Sequence, residues 1–148
     1  MEFILTNKAV LVGLHLGAAI LGIDLMLWLL GEMLAKSTHV KRMRLVAWGA
    51  FFAFFASWII GGYYYVKYYG PLVKPVIKAS STPWAHSVAM EAKEHIFLFI
   101  IPMALTVVLA MYANQQDRST KFLVGLTAGL GLLIGLMGFI ISASARWA

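Results

Sequence analysis

"LVGLHLGAAILG", residues 11–22, carries no charged side chain and holds a single histidine, His15, among apolar and small residues. The run that contains it extends over about residues 9–35 and includes only two charged residues, Asp24 and Glu32. A hydrocarbon core about 30 Å thick takes ~20 helical residues to cross. Runs of this length also exceed strand length. The stretch reads as a membrane-spanning helix with a polar ring inside it.

Three more runs of the same kind follow, at about residues 45–66, 96–113 and 122–145. The whole chain fits them: 61% of its 148 residues are hydrophobic, 12% are charged, and the mean hydropathy is +0.83. A soluble domain is closer to half apolar and a quarter charged. The expected fold class is all-α, an integral-membrane four-helix up-down bundle forming one domain over residues 1–148. Thr6 or Asn7 is expected to cap the first helix. "STPW" places Pro83 at the first position of helix three, which then starts near residue 83, well before its apolar part. "GPLVKPVIKASSTP", with Pro71 and Pro75, reads as a loop or short surface segment. Pro102 is expected to kink span three.

The chain contains no cysteine, which excludes disulfides, thiolate metal sites, thiol catalysis and covalent haem attachment through C-x-x-C-H. Its net charge of +6 needs no nucleic acid, since Lys and Arg gather at membrane-helix ends. "MEFILTNK" lacks the early positive charge of a cleaved leader and reads as retained. The basic cluster Lys36, Lys41, Arg42 and Arg44 places the first loop in the cytoplasm. Both termini are then outside, and the expected location is a prokaryotic inner membrane. The tyrosines of "GGYYYVKYYG" read as an interfacial belt, with a stacking surface for a flat cofactor or quinone as the other reading.

His15 lies 20 residues before Ala35 and His95 lies 18 before Ala113. At 1.5 Å per residue they stand about 30 and 27 Å from the cytoplasmic helix ends. Two spans thus carry a histidine at one depth. His15 shares its helix face with Ala18, Ala19 and Gly22, which leave room for a flat macrocycle or for close helix approach. Glu91 stands one turn before His95 and can orient its ring. His86 falls nine positions earlier, on the opposite face by a 100° rotation per residue. His39 sits in the basic loop and faces water.

Neutral imidazoles bind iron, copper or zinc. Lys67, Lys74, Lys78 and Lys93 crowd the same end and can pair with propionates. Three readings stay open: haem b on His15 and His95, a bare ion recruiting Glu91 or Glu94 (with His86 and Glu91 as second-choice ligands), and histidines bonded to backbone, lipid or water. Asp24, near the middle of span one, is a candidate proton site, protonated or bonded to Ser57, Thr106 or water. Glu32 is expected to pair with Lys36 at i+4.

In order, "GLHLGAAILGIDLM", "KRMRLVAWGAFFAFFASWIIGGYY" and "WAHSVAMEAKEHIFLFIIPMALTVVLAMY" resemble the four-helix membrane proteins related to copper-resistance protein D and the haem-binding membrane protoporphyrinogen oxidase. His15 matches the early histidine of helix one, and Arg44 with Gly61 or Gly62 matches the basic-flanked second helix. Trp84, His86 and Lys93 match the opening of helix three, at a longer Trp-to-Lys spacing. The resemblance implies haem binding.

The function expected is a small b-type haem-binding subunit in electron transfer near the outer membrane face, an oxidoreductase component if it is enzymatic. Its partners would be lipid, a quinone or extracytoplasmic electron carrier, and other membrane subunits. The alternatives are a cofactor-free accessory subunit of a larger complex, and transport of a metal ion or proton.

Overall fold

Asn7 starts the first helix. Its side-chain oxygen accepts from the backbone N–H groups of Ala9 and Val10 at 3.1 and 3.2 Å, satisfying donors that no preceding turn can reach. The computed structural model of the chain describes residues 3, 6–113 and 116–147, and its regular structure over them is entirely helical. Residues 1, 2, 4, 5, 114, 115 and 148 lie outside that description, and with them the expectations placed on the chain ends.

Helix α1 spans Lys8–Leu34 and α2 spans Val40–Tyr64. The chain then continues through wide π-turns over Tyr65–Val73 into the short α3, Lys74–Ala79. A second π-segment, Ala85–Met90, leads into α4, Glu91–Tyr112, and α5 closes the fold over Arg118–Arg146. Four continuous helical stretches are long and apolar enough to cross a membrane: Lys8–Leu34, Val40–Ala79, Ala85–Tyr112 and Arg118–Arg146.

Both α1 and α4 pack against α2 and against α5, so α1 and α4 sit on a diagonal of the bundle. Met26, Leu29, Met33, Met43, Phe54, Ile100 and Val107 fill the centre and are fully buried. Glycines set how closely the helices approach there. A Cβ on Gly22 would stand 2.8 Å from the Phe54 ring, and one on Gly131 would stand 2.8 Å from Ile23. The Gly22 face is therefore occupied by Phe54.

The second half of the Val40–Ala79 stretch corrects the reading of "GPLVKPVIKASSTP" as a loop. The missing N–H and bulky ring of proline break regular α-turns. Pro71 instead falls inside the π-segment, and Pro75 falls in the first turn of α3, directly after it. Ser80 ends α3 and donates its hydroxyl to the Ile77 carbonyl at 2.8 Å. Helix three begins where "STPW" places it, at Trp84 to Ala85, and runs unbroken to Tyr112. A satellite core at this tyrosine end joins Tyr69, Ile77, Ala85, Ala89, Met90 and Ile141.

At the opposite end Glu32 pairs with Arg42 at 2.7 Å and accepts from Trp28 Nε1 at 3.0 Å, in place of the expected Lys36. Lys36 ends α1 in a left-handed conformation, φ 53°, which takes its side chain off the α1 face. Arg44 donates to the Met111 carbonyl at 3.2 Å and lies over the Tyr112 ring, capping α4.

Overpacking a filled core typically costs about 1–3 kcal/mol. Gly22→Ala should destabilise the bundle by that amount in a detergent melt, whereas Gly129→Ala, with nothing within 4 Å, should not. Asp117 caps α5. The Thr120 backbone N–H, donated to its carboxylate at 2.8 Å, holds Asp117 below the usual carboxylate range. A depressed folded value means that the cap contributes stability above the ordinary carboxylate pKa and loses it as pH falls through the folded one. The protection factor of the Thr120 amide, taken relative to its intrinsic exchange rate at each pH, should therefore fall on acidification through that window, and Asp117→Asn should remove that change.

Candidate functional site

His15 is half-buried and turned toward α2. Its Nδ1–H donates to the Ser57 carbonyl at 2.9 Å and lies 3.0 Å from Ser57 Oγ, which in turn donates to the His15 carbonyl at 3.0 Å. Gly61, one turn further along α2, supplies the floor: a Cβ there would stand 2.6 Å from Nδ1. The proton on Nδ1 fixes the tautomer and leaves Nε2 as the basic nitrogen. Lys93 of α4 lies within electrostatic reach of His15, its Nζ only 3.7 Å from where a Gly138 Cβ would be.

Beyond Lys93 the polar groups continue. Glu94 lies within hydrogen-bonding reach of the Tyr65 hydroxyl, yet its Oε1 is buried with no hydrogen-bond partner among the described residues. Leaving a buried acceptor unpaired is costly, more so for a charged group. Tyr65 stacks on Tyr69 with ring centroids 5.3 Å apart. Tyr69 shares a 3.1 Å hydrogen bond with Nδ1 of His86, and both residues are only 3% exposed. The two π-segments bring these groups together, one carrying Tyr65 and Tyr69, the other carrying His86. Wide turns of this kind are frequent at functional sites. Lys74 and Lys78 lie close enough to His86 to bear on its charge.

The residues expected to form one site are thus distributed over several places. His95 is exposed, and its Nδ1–H donates to the carbonyl of Glu91, one turn back, at 2.6 Å. Glu91 therefore orients His95 through its backbone rather than its carboxylate. His15 and His95 stand on diagonal helices, each with its own anchor. Ala18 and Ala19 are half-buried beside His15. Lys67 lies over the Tyr63 ring at 5.9 Å. His39 is exposed in the basic loop. Asp24 is exposed on the outer surface of α1, while its expected partners Ser57 and Thr106 bond His15 and the Pro102 carbonyl. Among the described residues no group of three or more His, Asp or Glu is placed to hold a metal ion.

Ser57, Gly61, Tyr65, Tyr69 and Glu94 form the parts of the cluster that span-level reading did not assemble. One signal was available: tyrosines at positions 65 and 69, one turn apart, share a helix face.

No family model, no curated protein sequence and no solved structure matches the chain.

Gly61→Ala should displace the His15 ring, because a methyl group cannot share the space 2.6 Å from Nδ1. The measurement is nitrogen NMR of labelled imidazole. An unchanged Nδ1 environment would mean that the close approach to Gly61 does not exist.

Proposed function

We propose that the chain is an up-down four-helix subunit of a larger redox assembly, embedded in a prokaryotic inner membrane. Its part there is to accept and return protons at the outer face while an electron carrier is oxidised or reduced. The basic residues Lys36, Lys41, Arg42 and Arg44 support a cytoplasmic first loop, which sets the tyrosine end outside. The observation that carries the reading is the buried, unpartnered Oε1 of Glu94 at the centre of a Tyr–His–Lys cluster.

The chemistry follows from the donor set. Quinol-type carriers release protons as they give up electrons, and a carboxylate with an idle oxygen accepts one without breaking an existing bond. Tyr65 donates to the same carboxylate, and the Tyr69–His86 pair supplies a second phenol and a second base. Lys93 offsets negative charge on Glu94. The cluster serves one face only, since the next layer of the bundle is the apolar set Phe54, Ile100 and Met26. Protons therefore enter and leave on the same side.

Haem b is the second reading, favoured by one observation. His15 and His95 both have Nδ1 bonded to a carbonyl, which leaves Nε2 as the nitrogen with a lone pair, the arrangement metal-ligating histidines use. The ligand nitrogens fit; the space does not. Phe54 fills the Gly22 face, and His95 is exposed rather than turned to the core. Haem, where bound, supplies one-electron redox chemistry.

Infrared difference spectra against pH should contain a carboxyl stretching band that is lost in Glu94→Gln and shifted in Tyr65→Phe. A spectrum identical in Glu94→Gln would refute the proton-accepting role. The optical spectrum of the purified protein, with and without dithionite, separates the two readings. A b-type band abolished by His15→Ala installs haem, and a colourless preparation removes it.

A further inference from the structure

The stretch that continues α2 past the tyrosine end carries charge that nothing in the fold balances. Val66, Gly70, Lys74 and Lys78 follow one another at intervals of four residues within the continuous helical run Val40–Ala79, and so share one side of it. With Tyr65 and Pro75 they line an open cavity of about 660 Å³. Its lining holds two ammonium groups and no carboxylate. Among the described residues neither the Lys74 nor the Lys78 side chain has an ion pair or a hydrogen bond. They stand at i and i+4, where like charges on a helix repel, and both also act on His86. The charges of Glu91 and Glu94 on α4 bear on His86 too, but neither carboxylate comes close enough to either lysine to pair with it. Lys74 is half-buried, and a cation withdrawn from water without a partner is costly. An anion held between the two lysines removes the repulsion and partners both.

The rest of the lining is apolar. Val66 and Pro75 are exposed in it, and the Tyr65 ring forms a wall. Leu72 and Val76 stand exposed on the adjoining turns, at 50% and 45%. A free phosphate ion gains nothing from such walls, whereas an amphiphile gains from both halves. The height fits as well. Helix α2 alone has 25 residues and rises about 37 Å at 1.5 Å per residue, more than the ~30 Å of hydrocarbon in a bilayer. Its continuation from Tyr65 onward therefore leaves the hydrocarbon at the level of the lipid headgroups. Side chains on a helix lean toward its N-terminal end, here the bilayer side, which brings the lysines at 74 and 78 down toward that level.

Resting on the membrane-spanning part of the proposed function, we propose that this cavity seats the headgroup of an anionic phospholipid. The phosphate lies between the ammonium groups of Lys74 and Lys78, and the glycerol and first acyl methylenes lie along Tyr65, Val66 and Pro75. Gly70, between them, adds no side chain to the space. Basic pockets at the membrane surface recognise lipids in this way. Two positive charges on one phosphate also favour a headgroup of net negative charge over a zwitterion, whose own ammonium they repel.

The test is native mass spectrometry of the full chain in detergent, given equal amounts of phosphatidylglycerol and phosphatidylcholine. The chain should retain one phosphatidylglycerol in preference to phosphatidylcholine. Lys74→Gln with Lys78→Gln should lower that retention about tenfold, while Lys74→Arg with Lys78→Arg should keep it. Lys36→Gln with Lys41→Gln, which removes the same charge from the opposite end, should leave it unchanged. Equal retention of the two lipids, an undiminished phosphatidylglycerol adduct in the Lys74 and Lys78 glutamine pair, or an equal loss in the Lys36 and Lys41 pair would overturn the site. Displacement of the lipid by equimolar inorganic phosphate would overturn the lipid as its occupant. Carbonate extraction of native membranes is read alongside. Chain released by carbonate fails the membrane reading, while retained chain without the lipid preference fails only the headgroup site.

Discussion

The ring of Phe54 lies between two glycines, and most of the structure follows from that contact. Gly22 of α1 admits the ring from one side, and Gly131 of α5 lies under its tip from another, with a Cβ there standing 3.7 Å from the ring. Three helices are thereby fixed around one fully buried side chain. The contact also sets the next layer. His15 precedes Gly22 by seven residues and Gly61 follows Phe54 by seven, so both partners move two turns along their helices and meet again. The interior changes character between the two contacts, from an aromatic ring on glycine to an imidazole on glycine. Backbone approach is equally tight in both, but the second layer is polar and must satisfy its hydrogen bonds internally, which Ser57 does for His15.

Much of this was legible in the sequence. Length and apolarity locate four helices, "STPW" locates the start of the third, and Asn7 is readable as a cap. His15 is conspicuous because a polar ring inside an apolar run requires a partner. What periodicity does not give is which neighbour a face will meet. His15 and His95 share a depth by counting, yet they belong to diagonal helices, and the side chains that complete His15 come from α2. Counting at 100° per residue also fails wherever the helix widens. The π-segment Ala85–Met90 changes the rotation between His86 and His95, which still face different ways, His86 buried against Tyr69 and His95 exposed. The tyrosines were obscured for a different reason. Composition marks them as interfacial, and only the packing of Tyr69 against Ile77, Ala85 and Ile141 makes this one a core residue.

The resulting molecule separates its two ends chemically. One end is closed by charge, with Glu32 tied to Arg42 and Arg44 bonded to the Met111 carbonyl near the end of α4. The other is built of phenols, imidazoles and a carboxylate, with Tyr65, Tyr69 and His86 on the π-segments and His15, Lys93 and Glu94 on the adjoining regular helices. Between them the core is apolar and close-packed. Such a division gathers protonatable groups at one end and leaves the centre free of groups whose ionisation would disturb packing.

The turn after α1 shows a compromise of another kind. Lys36 occupies a left-handed backbone position, φ 53°, that glycine adopts without steric penalty and that other L-residues enter at a cost of roughly 1–2 kcal/mol. A lysine there is a conformationally poor choice that adds a positive charge beside Lys41, Arg42 and Arg44. On the proposed topology that charge belongs to the signal that sets orientation, so conformational stability and topogenic signal would compete at one residue. Glycine in its place would give a more relaxed hairpin with a weaker instruction about which way to face.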